Sequence, residues 1–168
     1  MRIDTTDRFA DSLDAADVSC TRVEAAGFAD ALADVVEQPA VGVPLGIDGV
    51  SLDDTDVETT PTPRHLREAE TGVTRVYGIV NHGTFVIQAD EAGAEPVSLY
   101  PTTHVGVVCA SDLHEDVWET ASWLHGEFDA GRDSAVLATG TSATADMGEL
   151  VSGVHGPQKV HAVVVTDR

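Results

Sequence analysis

A chain of 168 residues, 42% of them hydrophobic, carries enough apolar side chain for one core but is too short for two independent ones. Its charge is extreme: 29 acidic residues against 9 basic ones give a formal −20, and Lys159 is the only lysine. No basic stripe is available to neutralise phosphates, which argues against nucleic acid and anionic membrane as partners, and no apolar run approaches the ~18–20 residues of a membrane span.

Residues 4–15 are weakly helical, with Phe9, Leu13 and Ala16 on one face. Val18–Val23 alternates and is β-rich, which predicts a strand. Between Ala25 and Val36, the residues Phe28, Leu32, Val35 and Val36 make one apolar helical stripe opposite Asp30, Asp34 and Glu37. Pro39 stops that helix, and Val41–Leu45 reads as a short strand. Gly46–Thr62 is acidic and Pro/Thr-bearing, the composition of a surface loop. Thr62 before Pro63 is an N-cap followed by proline at the first helical position, which predicts a helix to about Glu70.

Val73–Val80 predicts a strand, Asn81–Gly83 a turn and Thr84–Gln88 a second strand, together a hairpin. Val97–Tyr100 reads as a third short strand ended by Pro101. His104–Cys109 is continuously apolar, as a strand buried on both faces must be. Asp112 with Glu115 fits a capping box for a helix that places Val117, Ala121, Leu124 and Phe128 at helical spacing. Ala135–Ala138 predicts another buried strand, Thr144–Val151 a helix and Val160–Val165 a final strand. Buried-type strands alternating with amphipathic helices predict an α/β layered domain, mostly parallel, with an antiparallel portion near residues 73–100.

The chemistry-bearing stretch is Thr139-Gly140-Thr141-Ser142-Ala143-Thr144. Beyond the carboxyl end of a strand, in an open α/β sheet, such a loop lies where ligands bind. Gly140 permits close approach of backbone. The hydroxyls of Thr141, Ser142 and Thr144, with the amides of a following helix start, suit a phosphate or carboxylate. Ser142 or Thr144 acting only as a helix cap explains the same residues. Asp146 would favour the helix dipole or orient a ligand hydroxyl. Neither a P-loop nor a dinucleotide fingerprint is present, and Gly140-Thr141-Ser142-Ala143-Thr144 lacks the second glycine of a nucleophile elbow.

Seven histidines show no zinc spacing: His114 and His125, eleven positions apart, would lie roughly 16 Å apart along a helix. His155, in the turn His155-Gly156-Pro157, is the best single candidate for acid–base or anion contact, and a structural histidine bonded to a carbonyl is the plainer alternative. Cys20 and Cys109 are too few for an iron–sulfur cluster or a Cys-rich zinc site, so no metal and no cofactor is expected in this chain. The first residues lack the apolar core of a signal peptide, so a cytoplasmic location is expected.

The run Thr139–Asp146, then Glu149-Leu150-Val151, then Gly153–Pro157, resembles the signature of the LUD domain, the lactate-utilization protein C family. Gly72-Val73-Thr74, the Gly83-Thr84 turn, Val97–Pro101 and His104 match that family's middle section in order. The best-matched core is residues 72–165, with residues 18–37 as a compatible strand–helix entry, in a single domain spanning 1–168. The resemblance implies a NagB/RpiA/CoA-transferase-like fold, a three-layer α/β domain with helices on both faces of a mostly parallel sheet. It implies a subunit of L-lactate oxidation to pyruvate beside separate iron–sulfur proteins, which would hold the clusters. The ligand-binding candidates are Thr139–Ser142, Thr144, Asp146, His155, Gly156 and the turn Asn81, His82, Gly83, Thr84. Where the family usually has an acidic residue and a threonine, this chain has Asn81 and His82, and an amide cannot act as a carboxylate base. A stand-alone enzyme of the same fold acting on a sugar phosphate or acyl-CoA-like substrate, or a non-catalytic structural subunit, are the alternatives. A homo-oligomer is compatible with each.

The acids are scattered along the chain, as an acidic shell rather than a tail. Such a shell repels itself in dilute buffer, and at ~1 M salt the screening length falls to roughly 3 Å. A salt-rich, halophilic setting is the expectation. Thermal melts in dilute buffer and in molar KCl test it: the melting temperature rises with salt, and an unchanged value rejects the idea.

Overall fold

The computed structural model describes residues 4–146, 149–152 and 155–168. The elements run α1 (Thr5–Ala15), β1 (Ser19–Val23), α2 (Phe28–Ala33), β2 (Ala40–Gly42), α3 (Pro63–Glu68), β3 (Thr71–Arg75), β4 (Tyr77–Ile79), β5 (Thr84–Gln88) and α4 (Ala94–Leu99). They continue with β6 (Thr103–Cys109), β7 (Leu113–His114), α5 (Val117–Asp129), β8 (Ala135–Thr139), β9 (Ala143–Asp146), β10 (Glu149–Ser152) and β11 (Lys159–Val165).

Five strands form an all-parallel central sheet in the order β1-β11-β6-β3-β2. All seven residues of β6 are buried, as the apolar run Val105–Cys109 requires at the sheet centre. Alternation divides the side chains between two faces. Val105, Val107, Cys109, Val163 and Val165 meet Phe28 and Leu32 of α2. Val108, Val160, Ala162 and Val164 meet Phe9 and Leu13 of α1, and Phe85 and Ile87 of β5. The fold is α/β, with a mostly parallel central sheet flanked by helices.

The second sheet, ordered β7-β4-β5-β8, grows out of the first. The expected single strand 73–80 is divided at Val76. Up to Arg75 the chain pairs in the central sheet, and from Tyr77 it pairs antiparallel with β5. The hairpin is therefore present, but it belongs to its own layer. That layer approaches closely because Gly106 of β6 has no side chain: a Cβ there would lie 2.6 Å from the Phe85 ring. α5 packs on the small sheet through Trp123, whose ring lies 4.3 Å from that of Tyr77, and through Glu127, which accepts from Gln88.

Several expectations are corrected. Residues 97–100 are not a strand. Ala94–Leu99 is helical, with the Asp90 carboxylate accepting from the Ala94 amide and with Ala94, Val97 and Ser98 buried at helical spacing. The helix expected from Asp112 begins at Val117. Asp116 is the residue whose carboxylate accepts from the Trp118 and Glu119 amides, and Leu113–His114 is used for strand pairing with β4. Its stripe is not an inward face: Val117 and Phe128 are exposed, and Thr120 is the buried position. The helix expected over 25–36 is a 3-10 turn followed by a short α-helix ending at Ala33. The 46–62 segment is not merely surface, since Ile47, Val50, Leu52 and Val57 enter the core beside α2. β8 is a half-exposed edge strand of the small sheet, paired antiparallel with β5, not a buried parallel strand. Where a helix is expected over 144–151, residues 143–146 and 149–152 are instead the antiparallel strands β9 and β10. Residues 147, 148, 153 and 154 lie outside the described residues.

Close glycine contacts generate a paired prediction. A Cβ at Gly72 would lie 2.0 Å from the Val97 carbonyl of α4, so Gly72→Ala should cost about 3 kcal/mol. Gly126 in α5 has open space, so Gly126→Ala should gain about 0.5–1 kcal/mol from helix propensity. Urea denaturation of both variants measures the contrast.

Candidate functional site

A cavity of about 190 Å³ opens between the two sheets, at the amino ends of β6 and β11. Its floor is His104 and Val160, and one wall is Phe85, Ile87 and Ala138 of the small sheet. Ser98 and Leu99 of α4 close one end, and Thr139–Ser142 with His155-Gly156-Pro157 form the rim. The location corrects the expectation of a site beyond the carboxyl end of a parallel strand: β8 runs antiparallel to β5, so its end delivers the loop to the opposite edge of the central sheet.

His104 is the polar group at the base. It is buried, its Nε2 lies 2.9 Å from Thr74 Oγ1, and its ring meets Phe85 edge-on at 5.8 Å. Burial pushes its pKa down to about 4, so the ring is neutral near pH 7 and can either donate or accept a hydrogen bond. The residues seen to line this cavity include no arginine or lysine.

The structure brings Thr139, Gly140, Thr141, Ser142, His155 and Gly156 together around this cavity. The Ser142 amide donates to the Pro157 carbonyl at 2.9 Å, and a Cβ on Gly156 would lie 3.2 Å from Ser142 Cβ, so the two rim segments touch. Gly140 has a left-handed φ of 73°, and a Cβ there would lie 2.9 Å from the Ala16 carbonyl. Its closest demand is therefore contact with the end of α1. Thr144 and Asp146 lie on β9, not on a helix, so neither takes part in a helix N-terminus, and Ser142 caps no helix.

The turn Asn81–Gly83 does not line the cavity. Asn81 Oδ1 accepts from Arg8 at 2.7 Å beside the Arg8–Glu115 ion pair, and His82 is exposed. Gly83 backs onto the Ser12 carbonyl with a φ of 60°, which fixes α1 against the turn. Thr84 Oγ1 lies 2.6 Å from Thr139 Oγ1 and so anchors the start of the rim loop. His104 was not a sequence candidate. Its place at the head of a continuously apolar strand was the available signal. A larger hollow of about 360 Å³ lies between α2 and residues 54–57, but its polar side chains are mainly carboxylates and none of the described motif residues lines it.

The buried histidine generates a pH prediction. A folded-state pKa near 4, below the ordinary 6.5, means that the unfolded chain binds the proton more readily. The contribution is fully present above pH 6.5 and is lost as pH falls towards 4, by about 3 kcal/mol in all. Denaturation between pH 7 and 4 should show this slope, and His104→Gln should flatten it.

The model of the LUD domain matches residues 7–165. The chain is similar to lactate utilization protein C of Geobacillus sp. (strain WCH70), 30% identical over 109 residues, or 62% of this chain and 45% of that protein. It is similar to the protein of that name from Macrococcus caseolyticus (strain JCSC5402), 32% identical over 94 residues, or 54% and 41%. The matched segment thus spans less than half the length of these curated relatives. A crystal structure of a DUF162 family protein from Deinococcus radiodurans superposes with a TM-score of 0.73 at 24% identity, over 96% of both chains, and shares the fold. With the family model covering nearly its whole length, the chain belongs to the LUD domain family.

Proposed function

We propose that this LUD-domain chain serves the oxidation of L-lactate or a related organic acid to its oxo acid, as the component that holds the small acid rather than the one that carries electrons. The observation that supports this reading is the joining of the two separated parts of the motif, Thr139–Ser142 and His155–Pro157, around one small cavity. The hydroxyls of Thr141 and Ser142 and the neutral His104 ring would meet the polar end of the acid, and Phe85, Ile87 and Ala138 its carbon skeleton. The lining residues seen offer neutral hydrogen-bond donors and no cation, which suits a small singly charged carboxylate better than the doubly charged phosphate of a sugar phosphate or acyl-CoA-like substrate. Iron–sulfur partner subunits would take the electrons.

Thermal melting with L-lactate and pyruvate tests the proposal. A ligand at 100 times its Kd adds about 2.7 kcal/mol. The wild-type chain should be stabilised, and Ser142→Ala and His155→Ala should lose that stabilisation with the fold intact. A wild type indifferent to both acids, or variants that melt lower with the ligand effect unchanged, rejects it. Co-purification with Cys-rich iron–sulfur proteins tests the subunit role separately.

A further inference from the structure

A second cleft, of about 230 Å³, lies at the opposite edge of the central sheet, where the chain leaves β3 at Arg75 and enters the small sheet at Tyr77. We propose that this cleft binds the carboxylate group of a small organic acid through the forked guanidinium groups of Arg75 and Arg132. Carboxyl ends of parallel strands are where open α/β sheets take ligands. In a chain with eight arginines and a formal −20, two arginines line this one cleft with Tyr77, Gln88, Asp90 and Leu45.

Both guanidiniums are held in place from behind. Arg75 donates through Nε and Nη2 to Asp112, at 3.3 and 2.8 Å, and through Nη1 to the Gly46 carbonyl at 3.1 Å. It also lies 5.3 Å from the centre of the Tyr77 ring. Arg132 donates through Nε and Nη2 to Glu127. A guanidinium carries five N–H groups, so each arginine keeps donors with no partner among the described residues. Burial raises the pKa of the Tyr77 phenol; the carboxylates of Asp112 and Glu127 add to that rise and the two arginines oppose it.

The acidic groups define the ligand. Asp112 and Glu127 offset the two positive charges, and Asp90, engaged by the Ala94 amide, stands on the cleft wall. The cleft therefore selects by directed donors rather than by net positive charge. A planar, singly charged carboxylate matches the fork, whereas the second charge of a phosphate meets Asp90.

Titration of the ¹⁵N-labelled full chain with sodium acetate and with inorganic phosphate, at constant ionic strength, tests the assignment through the arginine Nε–H resonances. Acetate should shift Arg75 and Arg132 along one saturating curve, and phosphate should bind at least threefold more weakly. Arg132→Gln should weaken acetate at least tenfold. Arg64→Gln, which removes the same charge from α3, should leave the curve within a factor of two. Tyr77→Phe, which keeps the ring against Trp123, should weaken binding with the spectrum otherwise intact. Unsaturable shifts in wild type, equal loss in Arg64→Gln and Arg132→Gln, or tighter binding of phosphate than of acetate overturns the proposal.

Discussion

Contact between Phe85 and the bare backbone of Gly106 is the constraint on which the rest of this molecule turns. It lets a second sheet lie directly against the face of a parallel sheet that its own chain has just left. Val76, fully buried at the crossing, donates its amide to Val107 and continues the ladder of the first sheet while the next residue begins the second. Phe85 then serves both layers: its ring packs in the core with Phe9, Leu13 and Val164, meets the His104 imidazole edge-on and forms one wall of the cavity. Core packing and candidate site are thus the same contact seen from two sides.

Much of the parallel sheet could be read from residue order, because its strands carry their burial in their composition. Val105–Cys109 and Ala162–Val165 are apolar without a break, and that pattern has few solutions other than a sheet centre. Short elements were decided by contacts that periodicity does not record. Val97–Tyr100 has strand-like residues, yet the Asp90 carboxylate accepts from the Ala94 amide at the start of a helix there and Gly72 leaves room for it. The apolar spacing along 117–128 is helical, yet the inward direction is set by Trp123 on Tyr77 and Glu127 on Gln88, so the stripe stays outside. The paired strands 143–146 and 149–152 carry threonine, alanine and valine in an order that suits either period.

The candidate site divides in the same way. Residues 139–142 and 155–156 could be picked out because glycine and hydroxyl residues cluster there, and the fold joins them. His104 opens a strand pattern, where a histidine reads as a core residue, and Arg75 lies within one. Neither position carries a local signal of function, because what makes each notable is a neighbour far along the chain: Phe85 for the first, and Arg132 and Asp112 for the second.

The field of so acidic a chain is not uniform inside it. The cavity holds an uncharged imidazole among apolar walls, while the cleft at the other sheet edge holds two guanidiniums, each steadied by a carboxylate. Gly140 gives the first of these a mechanical neighbour. Its backbone rests on the Ala16 carbonyl, and the Gly83 turn rests on Ser12, so the rim and the opening helix lean on one another. The amino-terminal helix is in that sense a bracket for the cavity mouth. Loosening it would deform the entrance while leaving every lining side chain untouched.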